Sequence, residues 1–120
     1  MNSKSIRAFI GAKNYKESRD FYNDLGFTEL IIDTRMSYFK VDERLGFYLQ
    51  NAYVKDWVDN SMLFLELEDL DHWRKELIKK NLKQTYKTVR ISDIKIENWG
   101  REFFMHDPSG ILWHFGEFKK

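Results

Sequence analysis

Cysteine is absent from the chain, which excludes disulfides, thiolate metal sites and cysteine nucleophiles and fits a reducing compartment. Proline occurs once, at position 108, and glycine six times. No Pro-, Gly- or Ser-rich linker or low-complexity segment breaks the 120 residues, so a single domain over 1–120 is expected. No apolar run reaches the length a membrane helix needs, and the opening "MNSKSIRAFIGAK" returns quickly to polar residues; a cytoplasmic protein with no membrane partner is expected. Charge of one sign is missing too. Twenty Lys and Arg face nineteen Asp and Glu, a net charge of +1 that provides no footprint for nucleic acid. There is no nucleophile elbow, no phosphate-cradling glycine loop and no nucleotide fingerprint.

What the sequence holds in quantity is rings. Phe, Tyr and Trp make up 17% of residues, so a core or a pocket must be built largely of aromatic side chains. Their pattern runs twice and predicts an α+β fold of two β-α-β-β-β modules: module one about 1–51, a linker about 52–60, module two about 61–120. "SIRAFIGA" alternates, with Ile6, Ala8 and Ile10 on one face and Arg7, Phe9 and Gly11 on the other. Asn14 and Glu17 have capping-box spacing, Tyr15, Ser18, Phe21, Tyr22 and Leu25 form a helical stripe, and Gly26 suits a left-handed end; a helix over 15–25 follows. "FTELIID", "MSYFKV" and "LGFYLQ" read as strands. After the loop "NAYVKDWVDN" the order restarts with "SMLFLELE", where Leu63, Leu65 and Leu67 alternate with Met62, Phe64 and Glu66. Asp69 caps a second helix reaching about Asn81, with Leu70, Trp73, Leu77 and Ile78 as its apolar face, and "TVRISDI", "GREFFMH" and "ILWHFGEF" complete the module. Since neither module covers its own sheet, the strands are expected to form a curved mixed sheet, a half-barrel with helices on the outer face and a cavity on the other.

The turn Asp107-Pro108-Ser109-Gly110 sets a register. Asp suits the first position of a type I turn, Pro the second, and Gly110 the left-handed residue of a three-residue hairpin with a bulge. Asp107 then pairs with Ile111, His106 with Leu112, Phe104 with His114 and Glu102 with Gly116. Phe103, Met105, Ile111, Trp113 and Phe115 share an apolar face, while Glu102, Phe104, His106, Leu112, His114 and Gly116 share the mixed face that lines a cavity. The two histidines are loose neighbours, about 6–7 Å apart along the strands plus one strand spacing across.

The doubled module order, "SRDFYNDLGF" and "NWGREFFMHDPSGILWHFGEF" resemble the vicinal oxygen chelate family, which includes glyoxalase I, extradiol dioxygenases, fosfomycin-resistance proteins and bleomycin-resistance proteins. The likeness is nearest to the bleomycin-resistance type and spans nearly the whole chain. In metal-dependent members, four cavity-facing strand positions carry ligands. The resemblance places Arg7, Tyr48 (Gln50 if the register shifts by two), Met62 and His114 at those positions. His114 is a competent ligand for Zn, Ni, Mn or Fe and Gln50 a weak one; Arg has no acceptor and a thioether is too soft. No cofactor is therefore expected, a divalent metal being the alternative.

The leading reading is metal-independent sequestration of a small, partly aromatic, antibiotic-like molecule, without turnover, by a homodimer. Arg7, Tyr48, Met62, Phe64, Phe104 and His114 are its lining, and Phe9, Gln50, Glu66, Glu102 and Trp99 its support. His114 is read as a ligand contact oriented by Glu102, against a metal ligand, a general acid or base, or a histidine satisfied within the fold. Arg7 needs a carboxylate partner, either Glu66 or an anionic ligand group. His106 is expected to face solvent, and Trp57 and Trp99 to serve a lid or a dimer contact. The near-neutral charge argues against a strongly cationic ligand. The runner-up is a metal-dependent lyase or dioxygenase using His114, His106 and Glu102; a third reading is a dimeric interaction module.

Overall fold

The computed structural model describes all 120 residues, Met1–Lys120. Module one runs β1 (Ala8–Gly11), α1 (Tyr15–Leu25), β2 (Thr28–Asp33), β3 (Met36–Asp42) and β4 (Leu45–Gln50). A short helix, α2 (Lys55–Asp59), leads into module two: β5 (Met62–Glu66), α3 (Leu70–Lys79), α4 (Leu82–Thr85), β6 (Arg90–Ile91), β7 (Lys95–Ile96), β8 (Gly100–His106) and β9 (Leu112–Phe118). The α+β class and the two modules thus stand as anticipated. No helix is long and apolar enough to cross a membrane.

The local signals act as their chemistry dictates. Asn14 accepts the Glu17 amide at 3.1 Å to open α1, and Gly26, at φ 111°, closes it in the left-handed region that a side chain would strain. Asp69 accepts the His72 amide at the start of α3. Three segments depart from the sequence reading. The loop 51–60 contains α2, because burying Val58 recruits a turn that no cap announces. The second helix stops at Lys79, where Asn81 enters the left-handed region and starts α4, which buries Leu82. Its Trp73 and Ile78, expected in the core, are 52% and 43% exposed; only Leu70 and Leu77 of that stripe are buried. "TVRISDI" is strand only at Arg90–Ile91 (β6), with β7 following it at Lys95–Ile96, because the Ser92 hydroxyl takes the Phe104 amide at 2.8 Å where a strand would offer a carbonyl.

Each module forms its own sheet, and no strand ladder joins the two. Strand order is β1-β4-β3-β2 in the first and β5-β9-β8-β6 in the second, with β7 also on β8. In each, the pairing of the module's first and last strands (β1 with β4, β5 with β9) is parallel and the rest antiparallel, so the modules are topological repeats. The hairpin β8–β9 has the register predicted from its turn, Glu102 opposite Gly116 and Phe104 opposite His114, with the Asp107 amide donating to the Ile111 carbonyl at 2.9 Å and Gly110 at φ 104°.

The helix-bearing faces of both sheets meet in one core of nineteen buried residues, drawn from Ile10, Phe21, Tyr22, Phe39, Phe47 and Leu49 on one side and Phe103, Met105, Ile111, Trp113 and Phe115 on the other. Trp113 is the link: its ring lies 6.0 Å from Tyr22, 5.8 Å from Phe27 and 5.3 Å from Phe47. Because that interior consumes the helix-bearing faces, the opposite face of each sheet is left uncovered within one chain.

Candidate ligand-binding faces

On the first sheet, the parallel register of β1 and β4 puts Phe9 beside Tyr48, and the antiparallel register of β3 puts Tyr38 beside Tyr48. Phe9 stacks on Tyr48 at 4.7 Å, and Tyr38 tilts against it at 5.4 Å. Arg7, just before β1, reaches over this pavement. Its Nη1 donates to the Tyr48 hydroxyl at 2.8 Å, and its guanidinium carbon lies 4.2 Å from the Tyr38 ring centroid. The Tyr48 hydrogen bond favours the charged form of Arg7 further. Gln50 is spent on a weak contact with Met36 Sδ at 3.9 Å.

The second sheet presents a denser array. His114 Nδ1 lies 3.0 Å from Glu102 Oε1, a pair whose carboxylate is nearly buried, and its Nε2 lies 3.3 Å from Met62 Sδ. The carboxylate fixes the ring's orientation through Nδ1, which leaves Nε2 as the ring nitrogen on the open face, beside Met62. Phe104 packs edge-on against the imidazole at 4.9 Å and Phe64 stacks at 6.3 Å. Phe64 also meets Trp99 and Phe118, each at 5.7 Å. Gly116 permits this: a β-carbon there would overlap the Phe64 ring. Beyond Phe104 a shallower hollow is lined by Arg90, Ser92, Phe104, His106 and Leu112. His106 is half-buried rather than solvent-facing, and burial, then the charge of Arg90, lowers its pKa.

The eleven residues singled out from the sequence therefore fall into two groups, one per sheet. Arg7, Phe9, Tyr48 and Gln50 stand on the first; Met62, Phe64, Glu66, Trp99, Glu102, Phe104 and His114 belong to the second. No hydrogen bond or ring contact joins the groups. The proposed Arg7–Glu66 ion pair does not form, because Arg7 is exposed to water and already engaged by two tyrosines on the other sheet. Trp57, expected in a lid, packs on the core over Gly11 instead. Tyr38 was missed, although the alternation of Met36, Tyr38 and Lys40 against Ser37 and Phe39 places it beside Tyr48. Phe118 was missed as well; it lies two residues beyond Gly116 on the face that holds His114.

Within one chain the donor set offers His114 alone as a good ligand for a divalent metal. Nowhere do three His, Asp or Glu side chains converge, and His114 is flanked by a thioether and one carboxylate.

Neither a family model nor a curated relative matches the sequence. Solved structures do. The bleomycin-binding protein of Streptomyces verticillus, complexed with copper(II)-bleomycin, superposes with a TM-score of 0.82 at 18% identity over 99% of both chains. A bleomycin resistance determinant encoded on transposon Tn5 gives 0.76 at 16% identity, covering 98% of this chain and all of the other. A lactoylglutathione lyase from Agrobacterium tumefaciens gives 0.69 at 15% identity, over 98% and 96%. The chain has the fold of these proteins, the vicinal oxygen chelate fold that its motifs resemble.

Proposed function

We propose that the chain binds, without a metal, a small and partly aromatic molecule, and sequesters it between the open face of one module and that of the other module in a second copy. The observation that carries this reading is the pair of uncovered faces. Phe9 is 50% exposed, Phe64 47% and Met62 65%, beside one fixed cation, Arg7, and one oriented imidazole, His114. Folding does not bury such rings; a ligand and a facing sheet would. One sheet alone makes half of a cavity. Rings to stack on, a guanidinium that a carboxylate or phenolate can join, and a ring nitrogen, His114 Nε2, that can hydrogen-bond a polar group suit an antibiotic-like molecule with an aromatic body and both acidic and hydroxyl groups. Neither cluster sets a nucleophile beside the His114–Glu102 pair, so the reading is binding and not turnover. The bleomycin-bound neighbours support small-molecule capture by this fold; the near-neutral charge and Arg7 argue for a less cationic ligand here.

The test is a thermal-shift screen with bleomycin-type glycopeptides, aromatic acids and glutathione adducts, followed by titration of each hit against variants. Saturating binding at about 100 times Kd adds about 2.7 kcal/mol, a rise in melting temperature of several degrees for a domain of this size. Arg7→Met and His114→Ala are each expected to weaken the hit about tenfold; the first leaves the ligand-free melting temperature within a few degrees, since Arg7 is exposed, while the second also takes the partner of the buried Glu102 carboxylate and lowers it, so its affinity is read well below its own melting temperature. No hit in the three classes, or hits that both variants bind as well as the parent, would sink the assignment.

A further inference from the structure

We propose a second binding site, for an amphipathic organic cation, in the cleft where the two modules meet on the helix-bearing side. The cleft measures about 750 Å³, the size of a drug-sized pocket. Leu25, Phe27, Leu65, Trp73, Phe103 and Phe115 supply its apolar walls, and Arg7, Tyr48, Phe64 and His114 take no part in it. Glu66, the last residue of β5, is the one residue it shares with those named for the open faces; the cleft otherwise lies apart from the Arg7 and His114 clusters, and its occupancy is tested independently of the function proposed for them.

Charge selects the occupant. Among the residues lining the cleft, four carboxylates, Asp42, Glu66, Glu68 and Glu76, stand against one ammonium, Lys80. Only Glu76 of the four has an ion-pair partner, Lys79 at 3.3 Å, and that pair is half-exposed and weak. Burying an anion or a neutral polar group there would leave these carboxylates uncompensated, whereas a positive group answers them. Trp73 adds the second requirement. It lies at a position whose helical spacing assigns it to the core, yet it is half-exposed and lines the cleft, and its one ring contact in the chain is His72, at 4.9 Å and nearly perpendicular. Trp is the strongest cation–π acceptor among the side chains, and the phenyl rings behind it take an apolar or flat body. A protonated or quaternary amine carried on an aromatic or aliphatic frame satisfies rim, plate and floor together.

Fluorescence anisotropy of rhodamine 6G, a flat cation, and fluorescein, a flat anion, titrated with the purified chain tests this. Rhodamine 6G is expected to bind with one dye per chain and to weaken with added salt, and fluorescein is expected to bind at least tenfold more weakly. Trp73→Ala should weaken rhodamine 6G about tenfold, the order of one desolvated cation–ring contact. The double variant Glu68→Gln with Glu76→Gln should weaken it by a similar factor and flatten the salt dependence. All three side chains are exposed or half-exposed, so melting temperatures should stay near that of the parent, which separates lost binding from lost folding. Equal affinity for the two dyes, or rhodamine binding unchanged in either variant, overturns the site.

Discussion

Alanine at Trp113 is expected to lower stability by about 3–5 kcal/mol, a large part of the 5–15 kcal/mol that holds a domain of this size folded. The indole is buried at the centre of the shared core, in ring contact with Tyr22, Phe27 and Phe47 of the first module and Phe115 of the second. Its Nε1 also donates to the Tyr22 hydroxyl at 2.9 Å. Truncation removes the largest body shared by both modules, and the rings around it belong to two sheets and cannot collapse together. Trp113→Phe keeps most of the volume and loses only the donor, so it should cost roughly half as much or less. Urea unfolding of the two variants reads both numbers; an alanine cost below about 1 kcal/mol would mean that the modules do not depend on a common core.

Asp107 is the second position of large effect. It is fully buried; its Oδ1 accepts the amides of Ser109, Gly110 and Ile111 at 2.9 Å, and its Oδ2 accepts the Tyr22 hydroxyl at 2.7 Å. One carboxylate thus closes the hairpin turn and ties it to α1. Asp107→Ala strips four donors of their acceptor in a buried place and is expected to cost about 3–5 kcal/mol. The side chain also gives stability a pH dependence. Burial outweighs those four bonds and pushes the carboxyl up to about 6. Between the ordinary aspartate value and about 6 the folded state then binds more protons than the unfolded chain, so stability falls as pH rises through that window. The contribution is full below the unfolded value and gone above about 6, on the order of 3 kcal/mol. Asp71 and Glu117 work the other way: Arg101 lowers both, so their contribution is lost on acidification. The clean readout is therefore the difference between the parent and Asp107→Asn, whose gap should widen by about 2 kcal/mol from pH 7 to pH 4. A gap that does not change with pH would show that folding leaves the carboxyl at its ordinary value.

These two side chains also mark how far the sequence could be read. The turn at 107–110 is a local signal, and it predicted the β8–β9 register and thereby the separation of Phe103, Met105, Trp113 and Phe115 from Glu102, Phe104 and His114. The caps at Asn14, Gly26 and Asp69 are local as well and placed both main helices. What depends on packing was not legible. Trp73 carries the spacing of a core residue, and only the placement of the second module against the first leaves it at a cleft. Ser92 interrupts a good strand pattern through a hydroxyl whose partner lies twelve residues away. Arg7 needed no carboxylate because the distance to Glu66 is set by the division into two sheets, which alternation within each strand does not report. His114 with Glu102 was foreseeable, since the turn brought both to one face; Tyr38 under Arg7 was foreseeable too, had β3 been given the same treatment as β9.

The central claim is that the open faces capture their ligand without a metal, and calorimetric titration of one chosen hit, before and after exhaustive dialysis against a chelator, tests it most directly. The same affinity and stoichiometry are expected in both samples, with His114→Ala weakening the hit about tenfold in each. Binding that vanishes on chelation, returns with nickel, zinc, manganese or iron, and requires His114 for that return would contradict it.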